Sequence, residues 1–256
     1  MSKKKNDALS RFNAAEYVPR QYWEDRLSSC FSLQGVGHLA FSNQYNFWYY
    51  KSNKRAIARA LKRNAVKTCD VRMIDVGIGT GYYIDFWHKR GVRDLVGFDI
   101  TEKSVTELRI RYPSCDFHRV DISKNLEIDP GKFDILTVFN VLFHVIEEEG
   151  FENAIETIEA LTEKDSTILI IDNFIDGAEP LRGHHETQRT LARYREVHKT
   201  RGMEIVDLVP ISFFMNNPID AGRLKSRVAR WIVRKGFRLN TLAAGATRRM
   251  GGRGVS

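Results

Sequence analysis

Residues 71–82, VRMIDVGIGTGY, carry an apolar strand straight into a glycine-rich turn with helical patterning beyond it. No other stretch limits the possible folds so strongly. Gly77, Gly79 and Gly81 let the backbone approach a ligand that a Cβ would exclude. The helix that such a turn opens offers unpaired N–H groups to polar or anionic ligand atoms. The dinucleotide-binding fingerprint is G-x-G-x-x-G; here the third glycine arrives one residue early and Tyr82 stands in the last position. An acid, Asp75, precedes the first glycine by two residues.

The following chain repeats the pattern of an apolar run closed by a polar residue. DLVGFD ends at Asp99, FHRVD ends at Asp121, and FDILTVF, from 133 to 139, is followed by NVLFH, which opens on Asn140 and closes on His144. STILIID, from 166 to 172, ends at Asp172. Helical patterning fills the intervals, over 102–111 and 151–162 for example. Strands alternating with helices predict a parallel α/β sheet, whose ligands bind beyond the carboxyl ends of the strands. A carboxylate at the position of Asp99 suits ribose hydroxyls. A nicotinamide dinucleotide would also use such an acid, but the glycine spacing and the 140–144 segment count against it.

An acid followed by G-x-G-x-G, with Asp99, Asp121 and Asn140 following in that order, resembles class I S-adenosylmethionine-dependent methyltransferases. The resemblance implies a Rossmann-like α/β sheet with helices on both faces and S-adenosyl-L-methionine as cofactor. It implies cofactor contacts from Asp75, Gly77, Gly79, Gly81, Asp99, Ile100, Asp121, Ile122 and Asn140, with Asp121 facing the adenine amine. Three regions are expected: an N-terminal helical lid and acceptor segment over 1–64, the cofactor-binding core over 65–218, and a basic extension over 219–256 that is partly disordered. More loosely, residues 140–149, 170–174 and 209–218 resemble a bacterial branch found with polysaccharide-assembly enzymes. That implies O-methylation of a sugar hydroxyl on a glycan or lipid-linked saccharide. A small-molecule or secondary-metabolite O- or N-methyltransferase is the alternative, followed by a non-catalytic binding module and an RNA methyltransferase.

Charge narrows the partners. The chain carries 40 Lys and Arg against 32 Asp and Glu, a formal +8. Ten of the basic residues and none of the acids lie between Arg223 and Ser256, which leaves the rest of the chain at −2. A neutral body with a basic tail argues against a nucleic-acid-binding face. On a helical wheel Leu224, Val228, Trp231 and Ile232 share one side and Arg223, Arg227, Arg230 and Arg234 the next, a pattern for peripheral contact with an anionic membrane through 223–239. Lys235 interrupts the apolar stripe, and 231–239 reads equally as the seventh strand that class I enzymes usually possess. Cys30, Cys69 and Cys115 have no metal or redox spacing, and no metal is expected. With no apolar run following its basic residues, the N-terminus does not read as a secretory signal. The expectation is a cytoplasmic protein, peripheral to the inner face of the membrane if the tail binds it.

Between Tyr22 and Tyr50 there are nine aromatic residues in 29. Most such rings dock helices; as a set they also offer rigid walls for an acceptor and cation–π contact to a sulfonium. Helical patterning resumes over 53–63, and another helix is expected over 186–201. Methyl transfer to a hydroxyl is helped by a base. His144 after the fourth strand, His185 on the following loop and Asp172 at the end of the fifth strand are the candidates, Asp172 being equally suited to orient a histidine.

Overall fold

The computed structural model describes residues 17–175 and 179–211. Three helices come first: α1 (Pro19–Ser29), α2 (Leu33–Val36) and α3 (Asn43–Arg63). Then follow β1 (Arg72–Val76), α4 (Ile84–His88), β2 (Asp94–Asp99), α5 (Glu102–Arg111), β3 (Asp116–Arg119) and β4 (Phe133–Phe139). A 3-10 turn over Leu142–His144 leads to α6 (Glu148–Ala160), β5 (Thr162–Ile171), the short strands β6 (Leu181–Arg182) and β7 (Thr187–Gln188), and α7 (Leu191–Thr200).

The five long strands make one parallel sheet in the order β3-β2-β1-β4-β5. Alternation along each strand feeds two separate cores. Met73, Leu95 and Ile135 pack with Ile57, Ile84, Trp87 and Leu108 from α3, α4 and α5. Ile74, Val96 and Leu136 pack on the other face with Phe151, Ile155 and Val197 from α6 and α7. The chain moves outward from β1 through β2 to β3, then returns to β4 on the opposite side of β1. That reversal opens a crevice beyond the carboxyl ends of β1 and β4, the position where doubly wound sheets bind ligands. The expected Rossmann-like fold with helices on both faces is therefore present.

Several boundaries differ from the sequence reading. The strand expected to reach Asp121 stops at Arg119, because the Asp121 side chain accepts from Ser123 N (3.1 Å) and Ser123 Oγ (2.6 Å) and turns the backbone away. The helix expected from 53 starts at Asn43, where Ser42 Oγ accepts from Tyr45 N (3.3 Å), so five of the aromatic residues (Tyr45, Phe47, Trp48, Tyr49 and Tyr50) and the basic stretch lie on one helix. The helix expected from 186 starts at Leu191, capped by Thr190, since Thr187 and Gln188 pair with β6. The helix expected over 151–162 spans 148–160, leaving Thr162 to open β5.

The N-terminal helices are tied to the sheet by long-range bonds. Glu24 of α1 accepts from the backbone N–H groups of Glu102 (2.7 Å) and Lys103 (3.1 Å), filling orphan donors at the start of α5. Tyr17 Oη donates to the carbonyl of His144 (3.2 Å). Among the described residues no helix is long and apolar enough to cross a membrane. The amphipathic pattern over 223–239 and the question of a seventh strand lie outside the described residues.

Candidate functional site

A cavity of about 310 Å³ lies over the carboxyl ends of β1, β2, β3 and β4, with the N-terminal helices as its opposite wall. Its floor comes from four strand ends: Asp75 to Thr80, Asp99 and Ile100, Val120 to Ser123, and Phe139 to Val141. Tyr17, Trp23, Leu27, Val36 and Tyr50 face it from the lid side, and His144 closes one end.

The turn after β1 is held by its neighbour strand. Gly77 N and Ile78 N both donate to the Phe98 carbonyl (2.8 and 2.9 Å), and Gly79 N donates to Asp99 Oδ2 (2.8 Å). The glycines do different work. Gly77 has φ +74°, and a Cβ there would lie 2.2 Å from Val141 Cγ2; at Gly79, φ +55°, it would lie 3.0 Å from Val36 of the opposite wall. Both line the cavity, whereas Gly81 does not. At Gly81, φ +72°, a Cβ would strike Leu108 Cδ2 at 2.6 Å, so its need is helix packing.

Two buried acids stand side by side. Asp75 Oδ1 accepts from Thr137 Oγ1 (2.6 Å), its register partner on β4. Burial pushes the Asp75 carboxyl up to about 7, against the Thr137 hydrogen bond and with help from Asp99. Asp99 is also raised by burial, offset by hydrogen bonds from Thr101, Gly79 and Ser104. Its Oδ1 accepts from Thr101 N (2.9 Å) and Thr101 Oγ1 (2.6 Å), which with Gly79 N occupies three of a carboxylate's roughly four lone-pair directions. One direction therefore remains for a ligand hydroxyl, rather than the two a free strand-end acid offers. At Asp121 the internal bonds fall on Oδ1, while Oδ2 has only Lys124 Nζ at 3.9 Å. Ile100 and Ile122, which follow Asp99 and Asp121, line the cavity beside them.

Asn140 ends β4 at φ +59°, a conformation asparagine tolerates. Asn140 lines the cavity; its Oδ1 accepts from Tyr49 Oη of α3 (2.9 Å), while its Nδ2 is buried without a partner.

The three candidate bases separate. His144 lines the cavity; His185 and Asp172 do not. His144 Nδ1 lies 2.8 Å from the His185 carbonyl, which can only accept, so Nδ1 carries the proton and Nε2 the lone pair. Burial, then His185 and Arg26, hold the His144 imidazole well below the usual histidine range. Trp23 meets the ring edge-on at 4.8 Å and His185 stacks on it at 5.5 Å. His185 thus supports His144 through its carbonyl and ring, and burial lowers its own pKa to about 4. Among the described residues the hydrogen-bond partners of Asp172 are not histidines: it accepts from the Tyr194 hydroxyl and from Asn173 N (2.6 Å), and burial raises it to about 6.

Sequence reasoning missed two contributors. Arg189, 2% exposed, donates to Glu148 Oε1 (2.8 Å) and reaches the carbonyls of Leu142 (3.5 Å), Ile146 (3.4 Å) and Glu147 (3.3 Å), fixing the loop that carries His144. Tyr49 was one of nine similar aromatic residues, and its bond spans 91 positions. Neither bears a local signal. Among the described residues no group of three or more His, Cys, Asp or Glu could hold a metal ion.

These residues fit a nucleoside with a polar tail: an acid with one free direction, a second acid with an oxygen met by a lysine at 3.9 Å, glycines where side chains would fill the crevice, and an orphaned donor. Residues 73–165 match the family model described as a methyltransferase domain. A probable S-adenosylmethionine-dependent methyltransferase of Mycolicibacterium smegmatis is 22% identical over 192 residues, covering 73% of this chain and 71% of the relative. The fold is similar to the crystal structure of magnesium protoporphyrin IX methyltransferase from Synechocystis PCC 6803 with bound SAM, at TM-score 0.58 and 18% identity, over 78% of this chain and 93% of that one. A DhpI complex with SAM and HEP superposes at TM-score 0.52 and 15% identity, over 71% and 86% of the two chains. Residues 73–165 thus match a methyltransferase domain, a class whose methyl donor is S-adenosylmethionine, and the cavity at its strand ends offers the groups that such a cofactor needs.

Proposed function

We propose that this protein methylates a hydroxyl oxygen, in the first instance that of a sugar on a glycan or lipid-linked saccharide, with His144 as the base. The observation that carries this reading is the tautomer of His144: its Nδ1 is committed to the His185 carbonyl, so a neutral Nε2 lone pair is left at the end of the cavity. S-Adenosylmethionine supplies an activated methyl group on a sulfonium leaving group. The chain's own residues then have three tasks. Asp99 and Asp121 fix the adenosine end, each through its remaining carboxylate direction. The lid residues Trp23, Leu27 and Val36 exclude water and give the acceptor a flat apolar wall. His144 Nε2 takes the acceptor proton as the new bond forms, and a base held below its ordinary pKa stays unprotonated at neutral pH.

The apolar character of that wall equally favours a planar small-molecule acceptor. Incubation with S-adenosylmethionine labelled in the methyl group, against saccharides and phenols in parallel, separates the two. Label in an alkali-stable ether on a saccharide supports the first reading; label on phenols alone replaces it with the second. Label on amines, with none on hydroxyls, contradicts both. Association with anionic vesicles through 223–239 belongs to the same proposal, and vesicle sedimentation of the full chain with and without that segment tests it.

A further inference from the structure

The strand order fixes how an extended ligand can lie. Asp121 follows β3, Asp99 closes β2, the glycine turn follows β1, and Asn140 follows β4, in that spatial sequence across the sheet. With the adenine at Asp121 and the ribose at Asp99, the amino-acid end falls over β1 and β4, beside Asn140. This placement rests on the cofactor reading above.

Among the described residues at that end, Asn140 has a side chain whose capacity is sharply split. Its oxygen accepts from Tyr49 Oη at 2.9 Å, and its Nδ2 is a buried donor with no partner in a residue that lines the cavity. An asparagine amide flips easily unless a neighbour distinguishes its two ends. Tyr49 does so. Its hydroxyl donates to Asn140 Oδ1 (2.9 Å), which turns the amide nitrogen the other way, while the buried Asn53 one helical turn along α3 donates to Tyr83 Oη (3.2 Å). Burial keeps the Tyr49 phenol protonated throughout the neutral range, with a pKa of about 12. The orphaned group is a donor, and the cofactor's amino-acid end carries one acceptor, a carboxylate, beside an ammonium that can only donate.

We infer that Tyr49 is a positioning residue: it holds the Asn140 amide with its N–H groups toward the cavity, where they donate to the α-carboxylate of the bound cofactor. Docking of α3 is thereby linked to recognition of the amino-acid group, at a bond 91 residues apart in sequence.

The test compares two ligands that differ only at that end. S-Adenosylhomocysteine carries the amino-acid group; 5′-methylthioadenosine keeps the adenosine and the sulfur but lacks it. Calorimetric titration of both into wild type, Tyr49→Phe and Asn140→Asp should show Tyr49→Phe weakening S-adenosylhomocysteine about five- to tenfold. Its affinity for 5′-methylthioadenosine should be unchanged. Asn140→Asp, which tolerates the same backbone conformation but replaces a donor with a charged acceptor, should lose more on the first ligand and spare the second. Equal losses on both ligands mean that Tyr49 merely supports the fold, and overturn the inference. Unchanged affinity for S-adenosylhomocysteine in either variant also overturns it, with the cofactor site intact. Failure of the wild type to bind both ligands is a separate result, and it removes the cofactor reading itself.

Discussion

The two walls of the cavity are built by different means. The floor consists of strand ends and tight turns, and each functional group there is placed by its own strand or by the one beside it. Asp75 meets Thr137 through parallel register, and Asp99 reaches Gly79 across one strand spacing. The opposite wall is assembled from distant parts of the chain: Trp23 meets His144, Tyr49 meets Asn140, and Tyr17 reaches the His144 carbonyl. The floor is a property of the sheet, whereas the wall exists only once the N-terminal helices have docked. Recognition of the adenosine half should therefore survive changes in the wall, while catalysis, and the amino-acid contact that Tyr49 supports, should not.

The sharpest way to separate the walls is His144→Gln, which keeps a donor toward the His185 carbonyl but removes the base. Turnover should fall about 10²- to 10⁴-fold, with calorimetric affinity for S-adenosylhomocysteine nearly unchanged; parallel losses would place His144 in the floor. Next in size is Arg189→Met. Several carbonyl and carboxylate partners lose a charged donor, so chemical denaturation should register a loss of about 3 kcal/mol. Glu148 is partly exposed and can regain water, which keeps the effect from being larger.

The glycines offer a third comparison within the floor. Gly79→Ala should weaken S-adenosylhomocysteine by about tenfold, a cost of ~1.4 kcal/mol, since the new methyl group enters the crevice toward Val36. Gly81→Ala carries comparable backbone strain, of about 1–3 kcal/mol, but meets Leu108 away from the cavity. It should lower the melting temperature and leave affinity intact. If the two variants behave alike, the assignment of one glycine to the ligand and the other to packing is wrong.

The smallest effect is a pH slope. His144 has its pKa depressed on folding, so below the ordinary value of 6.5 the unfolded chain binds a proton that the folded one refuses. Stability contributed by this site is complete above that value and is lost as pH falls. Asp75 and Asp172, raised to about 7 and about 6, act in the opposite sense: folded, they hold protons that the unfolded chain releases, and stability declines as pH rises toward those values. The opposing terms obscure one another in wild type alone. The difference between wild type and His144→Gln isolates the histidine. It should move against wild type by up to about 1.4 kcal/mol per pH unit below 6.5. A pH-independent difference contradicts a neutral, buried His144.

The same contrast explains what could be read from the sequence. Asp75, the glycines and Asp99 were legible because strand, turn and strand end are local patterns, and sheet order then brings them together. Gly81 looked equivalent to its neighbours because sequence carries no record of which side of the turn faces Leu108. Asp172 read as a candidate base because a strand-end acid usually faces the crevice; here Tyr194, on a helix two decades of residues later, claims the carboxylate. His185 was noticed for its ring, yet it is its backbone carbonyl that sets the His144 tautomer. Tyr49 and Arg189 carry no local mark, since their partners lie 91 and 41 to 47 positions away.

What both walls do rests on the premise that the floor binds S-adenosylmethionine through Asp99. Calorimetric titration of S-adenosylmethionine and S-adenosylhomocysteine into the full chain, beside Asp99→Ala, tests it most directly. Wild type should bind both ligands saturably and one to one, with a loss of at least about tenfold in the variant. Absence of binding by the wild type, or equal affinity in the variant, would contradict it.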